Sequence, residues 1–269
     1  WKKEAKSVEE EAKEGEEGRF APGLPPKSDG QMLFLLNGVK KLKDDGRMAI
    51  IQNGSSLFTG DAGSGPSEIR RYLIEHDWLD AIVQLPNDSF YNTGIATYVW
   101  IIAKSKPKNR RGRVQLIDAS ACCEARRKPI GNKRYDITDA ARALIVSAYK
   151  SGAEGDLKGS SDDGKPLVVK SRIFEGAAFG YTKVTVVTQD GKDTENVPLG
   201  EDIDAYMAKE VLPYSPTAKV DPKKSKIGYE IPFTRTFYEY KPIEPAADIA
   251  KRIEAHEKKL MADLKELFG

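Results

Sequence analysis

Four short apolar runs, each bounded by turn residues, constrain what this chain can fold into more than any other feature. The runs cover residues 47–52, 79–85, 96–103 and 113–118. Runs of this length that are apolar almost throughout indicate strands that are buried on both faces. A helical pattern begins at Pro66, between the first two runs. The order strand, helix, strand predicts an α/β fold with a mainly parallel sheet and helices on its faces.

The pattern of the whole chain predicts three parts. Residues 1–150 are assigned to the sheet domain, in which a first helix is predicted to begin with Ser28 as its N-cap. The Gly-, Ser- and Asp-rich stretch that follows predicts a flexible linker at 151–170. Residues 171–269 are predicted to be mainly helical and to end in a long helix from about Ala246 to Phe268.

The charge balance limits the kinds of partner. The 269 residues include 43 basic and 41 acidic side chains, which gives a formal net charge of +2. The chain is not a polycation, so any contact with nucleic acid has to come from local basic patches. No apolar run approaches the ~20 residues that a membrane-spanning helix needs. No membrane contact is therefore expected, and the cysteine usage described next favours the cytoplasm.

Cysteine and histidine usage disfavours two further classes. Cys122 and Cys123 are adjacent, and neighbouring residues rarely reach disulfide geometry, which favours a reducing compartment. Neither this pair nor His76 and His256 has the spacing of metal ligands, so no metal site is predicted. No nucleophile has an evident base beside it and no dinucleotide motif is complete, so no catalytic residue is assigned.

The loop after the first predicted strand resembles a phosphate-binding loop without its lysine. Pro66 takes the position of that lysine and also removes a backbone N–H, which disfavours a nucleotide triphosphatase. Two interpretations stay open: a flexible loop with a well-formed helix start, or a contact with DNA phosphates at the helix N-terminus. The candidate DNA contacts in this loop are Asn53, Ser64, Gly65 and Ser67.

An aromatic pair lies beyond the end of the second predicted strand. Residues 85–95 follow the carboxyl end of that strand, the edge at which open α/β sheets bind ligands, and they include Phe90 and Tyr91. The two rings can present a flat surface on which a base stacks, or they can pack in the core. Composition alone favours the core.

Basic residues form two clusters on this nearly neutral chain. One lies between Lys104 and Arg113. The other consists of Arg126, Arg127, Lys128, Lys133 and Arg134. Such clusters suit phosphate contacts but are also usual on solvated faces, and both interpretations stay open. The second cluster supplies the further candidate DNA contacts.

The terminal helix carries a narrow apolar seam. Its members recur at alternating spacings of three and four, with His256 among them, as is typical of helices in coiled coils. The seam is predicted to pack on its own domain or on another subunit. The candidate interface residues are Ile249, Ile253, Leu260, Leu264 and Leu267.

Separated motifs along most of the chain point to one family. The most specific is Asn-Gly-Ser-Ser-Leu-Phe-Thr-Gly-Asp-Ala-Gly-Ser-Gly at residues 53–65. The others are residues 18–25, 28–31, 68–71, 90–95, 114–119, 131–134, 179–181 and 226–233. In these motifs the chain resembles the methylation (M) subunits of Type I restriction-modification systems, which are N6-adenine DNA methyltransferases.

The resemblance implies a fold, a reaction and a cofactor. The chain is expected to be a C-terminal part of such a subunit, with the C-terminal half of a Rossmann-like methyltransferase sheet. In the family, S-adenosylmethionine binds an acidic, glycine-rich motif, and an Asn-Pro-Pro-Phe-type motif grips the flipped adenine. Neither motif occurs in this sequence, and both are expected upstream of Trp1. These residues alone are expected to bind the cofactor weakly and to transfer no methyl group.

The resemblance also implies roles and partners. Phe90 is implied to stack on the flipped adenine, with Tyr91 as the second candidate. Residues 171–269 are implied to assemble the complex, with the terminal helix joining helices of the specificity (S) subunit. DNA and the restriction (R) subunit are the other implied partners. The alternative is a non-catalytic interaction module that binds partner subunits and DNA.

Overall fold

The structure is a computed structural model that describes residues 1–189, 191–240 and 242–268. Contacts divide the chain into two compact units, Trp1–Phe233 and Thr234–Gly269. The linker predicted at residues 151–170 lies inside the first unit, so it does not separate two compact bodies.

A six-stranded sheet forms the body of the first unit. Its strands are β1 Arg47–Asn53, β2 Leu79–Leu85, β3 Thr97–Ala103, β4 Arg113–Asp118, β7 Gly155–Ser160 and β8 Pro166–Glu175. The remaining strands of the unit are β5 Glu124–Ile130, β6 Lys133–Asp136, β9 Gly180–Thr188, β10 Gly191–Pro198 and β11 Lys219–Tyr229. The order in the large sheet is β1-β3-β2-β4-β8-β7.

The large sheet is mixed, and the prediction of a mainly parallel sheet is wrong. Only β2 and β4 are parallel neighbours within it, and its other neighbouring pairs are antiparallel. After a loop at 86–96, β3 turns back and inserts between β1 and β2. An apolar run reads the same in either direction, so it cannot reveal this reversal. Strands β1, β2 and β4 still run the same way, which brings their carboxyl ends to one edge of the sheet.

Burial differs between the strands. Every residue of β2 except Gln84 is buried, as its apolar run predicts. In β1 only Gln52 is buried, and Ile51 is 50% exposed. The prediction of a buried strand is therefore wrong for β1, because this strand lies at the end of the sheet order.

The α-helices are α1 Ala5–Glu11, α2 Gln31–Lys41, α3 Ser55–Phe58, α4 Gly65–Glu75, α5 Asp139–Ser151, α6 Ile203–Tyr206, α7 Phe233–Thr236 and α8 Ala246–Phe268. A π-helical turn, Met207–Val211, continues α6. Helix α2 begins after Gly30 and not after Ser28 as predicted. The carboxylate of Asp29 accepts a hydrogen bond from the Gln31 amide at 3.0 Å, which replaces the expected serine cap.

The segment predicted as a flexible linker is folded. Strands β7 and β8 form an antiparallel hairpin, in which Gly155 lies opposite Ser171 and Ser160 lies opposite Pro166. Leu167 belongs to a buried core that also contains residues of β2, β4 and α5. The polar, glycine-rich composition indicates the turn of this hairpin, but burial of the neighbouring apolar residues decides that its sides are strands.

The prediction of a mainly helical region after residue 170 is also wrong. A three-stranded sheet in the order β10-β9-β11 occupies much of it. Val184, Val186 and Val197 are buried against Met207, so the sheet has its own small core. Apolar residues that alternate along β9 have the period of a strand.

Helix α8, described by itself, confirms the predicted long terminal helix. It has 23 residues, none of them buried. Among the helices that the structure describes, none is both long and apolar enough to cross a bilayer.

Candidate nucleic-acid interface

The loop after β2 lies at the edge where the carboxyl ends of β1, β2 and β4 meet. Asp88 shapes this loop with a φ of 53°, a left-handed conformation that few residues other than glycine adopt. Its carbonyl oxygen accepts a hydrogen bond at 2.8 Å from the amide of Arg134, a residue of β6. The loop is therefore attached to the β5–β6 hairpin.

The two aromatic residues of the loop have different environments. Phe90 is partly buried and packs against the core cluster that contains Val83 and Leu85. Tyr91 is 62% exposed. Phe90 therefore has a packing role in the fold, whereas the ring of Tyr91 is accessible to a partner. The sequence alone could not separate the two, because adjacent aromatic residues carry no burial signal of their own.

Backbone contacts with the hairpin fix the position of Tyr91. Its carbonyl oxygen accepts a hydrogen bond at 2.9 Å from the amide of Asn132. Gly131 adopts a φ of +58°, and a Cβ there would lie 2.5 Å from the same oxygen. A side chain at position 131 would therefore push the hairpin away from the loop.

Charges on the β5–β6 hairpin divide into paired and exposed groups. Asp136 forms ion pairs with Arg126 and with Lys133. Hydrogen bonds from Arg126 and then Lys133 hold the pKa of Asp136 below its ordinary value. The Lys133 ammonium also lies 5.4 Å from the centroid of the Tyr91 ring, within cation–π range.

The remaining cations of the hairpin face solvent. Arg127, Lys128 and Arg134 are exposed. No ion pair involving their side chains is seen within residues 1–189, 191–240 and 242–268. The structure thus places Lys133 beside the ring of Tyr91, and the other four basic residues of the second predicted cluster lie on the same hairpin.

Asn53 lies at the same edge but is used within the chain. Its side-chain oxygen accepts a hydrogen bond at 2.9 Å from the Ser55 amide and lies 2.9 Å from Nε2 of Gln31. Asp29 completes this partly buried cluster. Desolvation raises the pKa of Asp29, but hydrogen bonds from Gln31 and Ser55 outweigh it, and the net pKa is lowered.

The glycine-rich loop is packed against the rest of the fold, and Ser67, one of the predicted DNA contacts, lies inside it. Ser67 is fully buried, and its hydroxyl oxygen accepts a hydrogen bond at 2.9 Å from the Tyr229 amide. The Ser64 hydroxyl oxygen is also buried. A Cβ on Gly65 would lie 1.9 Å from the carbonyl oxygen of Leu24. This close approach covers the start of α4, so the glycine at 65 serves packing.

Arg70 is a structural residue that sequence reasoning missed. It is fully buried, and desolvation lowers its pKa to about 10. Its guanidinium donates to the carbonyl oxygens of Tyr229 at 2.6 Å, Ser56 at 3.1 Å and Thr59 at 3.0 Å. These bonds tie the loop after β1 to the end of β11. An arginine inside an amphipathic helix carries no sequence signal of such burial.

The first basic cluster has mainly structural partners. Lys106 is buried and its ammonium lies 2.6 Å from a carboxylate oxygen of Asp77. Arg110 donates at 2.8 Å to the buried carboxylate of Asp80. These pairs hold the loop before β4 against β2. Among the described residues, no group of three or more His, Cys, Asp or Glu could hold a metal ion.

The seam of α8 is exposed within its own unit. Ile249 is 36% exposed and Leu267 is 74% exposed, and Ile253, Leu260 and Leu264 lie between these values. Within the described part of this unit, the seam is therefore accessible to a partner.

The fold and the site together define a class. This is a mixed α/β protein whose carboxyl sheet edge presents an accessible aromatic ring beside a basic hairpin, a combination that suits nucleic acid.

Comparison with known proteins identifies the family. The N-6 DNA methylase family matches residues 2–163, and the chain belongs to this family. It is similar to the Type I restriction enzyme HindI methylase subunit of Haemophilus influenzae, with 32% identity over 101 residues, 38% of this chain and 22% of that protein. It is also similar to the MjaIX methylase subunit of Methanocaldococcus jannaschii, with 26% identity over 133 residues, 49% of this chain and 23% of that protein.

A solved structure gives a further similarity. The Type I methyltransferase subunit of Streptococcus thermophilus is 32% identical, with a TM-score of 0.48 that covers 59% of this chain and 30% of that one. The chain matches less than a quarter of the length of the HindI and MjaIX subunits.

Proposed function

We propose that the chain is part of the modification subunit of a Type I restriction-modification complex. In this proposal the complex transfers a methyl group from S-adenosylmethionine to N6 of a flipped adenine in DNA. The family match over residues 2–163 carries the proposal. The accessible ring of Tyr91 supports it, because an extruded base needs a new stacking partner. We assign base stacking to Tyr91 in preference to Phe90.

The glycine-rich loop of this chain is not the cofactor site in this proposal. The carbonyl oxygen of Leu24 closely approaches Gly65 there, and the acidic, glycine-rich motif of the family is absent from the sequence. The Asn-Pro-Pro-Phe motif is absent as well. We therefore propose that residues outside these 269 hold the cofactor and the adenine amino group, and that these 269 alone transfer no methyl group.

Restoration of activity tests the proposed function. We expect a polypeptide that contains this chain and both missing motifs, combined with a specificity subunit, to methylate adenine in duplex DNA. Transfer of a radiolabelled methyl group from S-adenosylmethionine measures the reaction. The 269 residues alone serve as the control and are expected to give no transfer. Stable assembly without methylation would favour the alternative, a non-catalytic module that binds subunits and DNA.

The partner of α8 in this proposal is the specificity subunit, and the restriction subunit and DNA complete the complex. Five exposed apolar residues along one face of the helix support a helical partner. The proposal also places the complex in the cytoplasm.

A single substitution tests the role of α8. We expect Leu260→Asp to weaken binding to the specificity subunit at least tenfold, because a charge in a helix seam has to be desolvated. Ala262→Asp, which lies about 200° around the helix, is the matched control and should bind as the wild type does. Titration calorimetry measures both affinities. Equal affinities for the two variants would show that the seam is not the interface.

A further inference from the structure

We propose that the β5–β6 hairpin is a phosphate-binding arm that holds the DNA backbone beside the nucleotide on which Tyr91 stacks. This inference rests on the proposed function for the identity of the ligand as DNA and for the stacking role of Tyr91. It adds a second contact of a different kind, to the phosphates and not to the base.

The β5–β6 hairpin has an excess of basic residues. Residues 124–136 include five basic and two acidic side chains. Asp136 forms ion pairs with Arg126 and with Lys133. Glu124 accepts a hydrogen bond from the Thr138 hydroxyl at 2.6 Å. Both acidic groups thus have partners inside the chain. The three exposed cations that remain, Arg127, Lys128 and Arg134, are available to an anion.

Backbone contacts attach the hairpin to the loop that carries Tyr91. The Asn132 amide donates to the Tyr91 carbonyl oxygen at 2.9 Å, and the amides of Arg134 and Tyr135 donate to the Asp88 carbonyl oxygen at 2.8 Å and 3.3 Å. Gly131 also closely approaches Tyr91. The backbone that carries the exposed cations is therefore attached to the loop that carries the exposed ring. A solvated charged face has no need of backbone bonds to an aromatic loop.

A flipped nucleotide needs both the hairpin cations and the Tyr91 ring. Extruding a base rotates its backbone, and phosphate contacts fix the register of the strand while the pocket reads the base. Cations on a hairpin attached beside a stacking ring supply both contacts. An acidic protein surface would also attract the cations, but it would not use the ring of Tyr91 for an unpaired base.

Salt dependence of DNA binding tests the arm with the full 269-residue chain. The variant is Arg127→Gln, Lys128→Gln and Arg134→Gln together. The matched control is Lys150→Gln, Lys158→Gln and Lys165→Gln, which removes the same charge from exposed positions on α5 and the β7–β8 hairpin. Fluorescence anisotropy of two labelled duplexes, one fully paired and one with an unpaired adenine, gives the affinity of each protein from 50 to 200 mM salt.

The hairpin variant is expected to show a weaker dependence of DNA affinity on salt than the wild type. Each phosphate contact contributes about 0.9 to the slope of log affinity against log salt, so the hairpin variant should lose about 2.7. Over this salt range the wild type should lose about 40-fold more affinity than the hairpin variant does. The control should keep the slope of the wild type. The hairpin variant should still prefer the duplex with the unpaired adenine.

The opposite results are equally decisive. A wild type that binds neither duplex, or a hairpin variant with the slope of the control, would overturn the arm. The methylation assay can fail while the salt slope of the hairpin variant falls as expected. That outcome would contradict the proposed function but would still support a DNA-binding hairpin. The two failures are therefore distinguishable.

Discussion

Replacement of Arg70 by leucine is expected to lower the free energy of unfolding by about 3 to 5 kcal/mol. The arginine is fully buried and donates to three carbonyl oxygens, on Ser56, Thr59 and Tyr229. Leucine fills much of the volume but removes the guanidinium donors from these oxygens, and each buried group that is left unpaired costs about 1–3 kcal/mol. The loss should also release the loop after β1 from the end of β11. Urea unfolding followed by circular dichroism measures the change.

The neighbouring residue provides the matched control. Arg71 forms partly exposed ion pairs with Glu68 and Glu75 on the same helix. Exposed pairs of this kind contribute about 0.3–0.5 kcal/mol each, so Arg71→Leu should change stability by less than about 1 kcal/mol. If the two leucine variants unfolded at the same urea concentration, Arg70 would not tie these segments together.

Replacement by alanine should have different effects at the two aromatic residues: weaker DNA binding at Tyr91 and lower stability at Phe90. We expect Tyr91→Ala to weaken binding to a duplex with an unpaired adenine by about five- to 150-fold, since base stacking on an aromatic ring is worth about 1–3 kcal/mol. Its unfolding should be unchanged because the ring is 62% exposed. Phe90→Ala should lower the free energy of unfolding by about 2–3 kcal/mol, less than a fully buried phenylalanine, because Phe90 is only partly buried.

Two measurements on the same proteins decide this prediction. Anisotropy with paired and unpaired duplexes gives the stacking contribution, and thermal unfolding gives the packing contribution. Tyr91→Phe keeps the ring and is the conservative control, which should bind as the wild type does. Loss of unpaired-adenine preference in a Phe90 variant that remains folded, with Tyr91→Ala unaffected, would return the stacking role to Phe90.

Sequence reasoning located several of the secondary-structure elements and the family. Period and turn residues predicted β2, β3, β4 and α8 close to their observed bounds, because burial on both faces of a strand and one face of a helix leaves a local pattern. The motifs at 53–65 and 90–95 pointed to the family to which the chain belongs. The basic cluster at 126–134 was visible as a composition bias.

The sequence by itself therefore determined the α/β class, the family and the terminal helix. Only the tertiary structure decided that β3 reverses between β1 and β2, that Ser67 and Arg70 are buried, and that Tyr91 and not Phe90 presents its ring beside the basic hairpin. The physical reason is the separation along the chain of the residues that decide each property. Periodicity reports whether a residue faces the core of its own element, whereas strand order, buried polar contacts and side-chain exposure at a loop depend on residues far away in the chain.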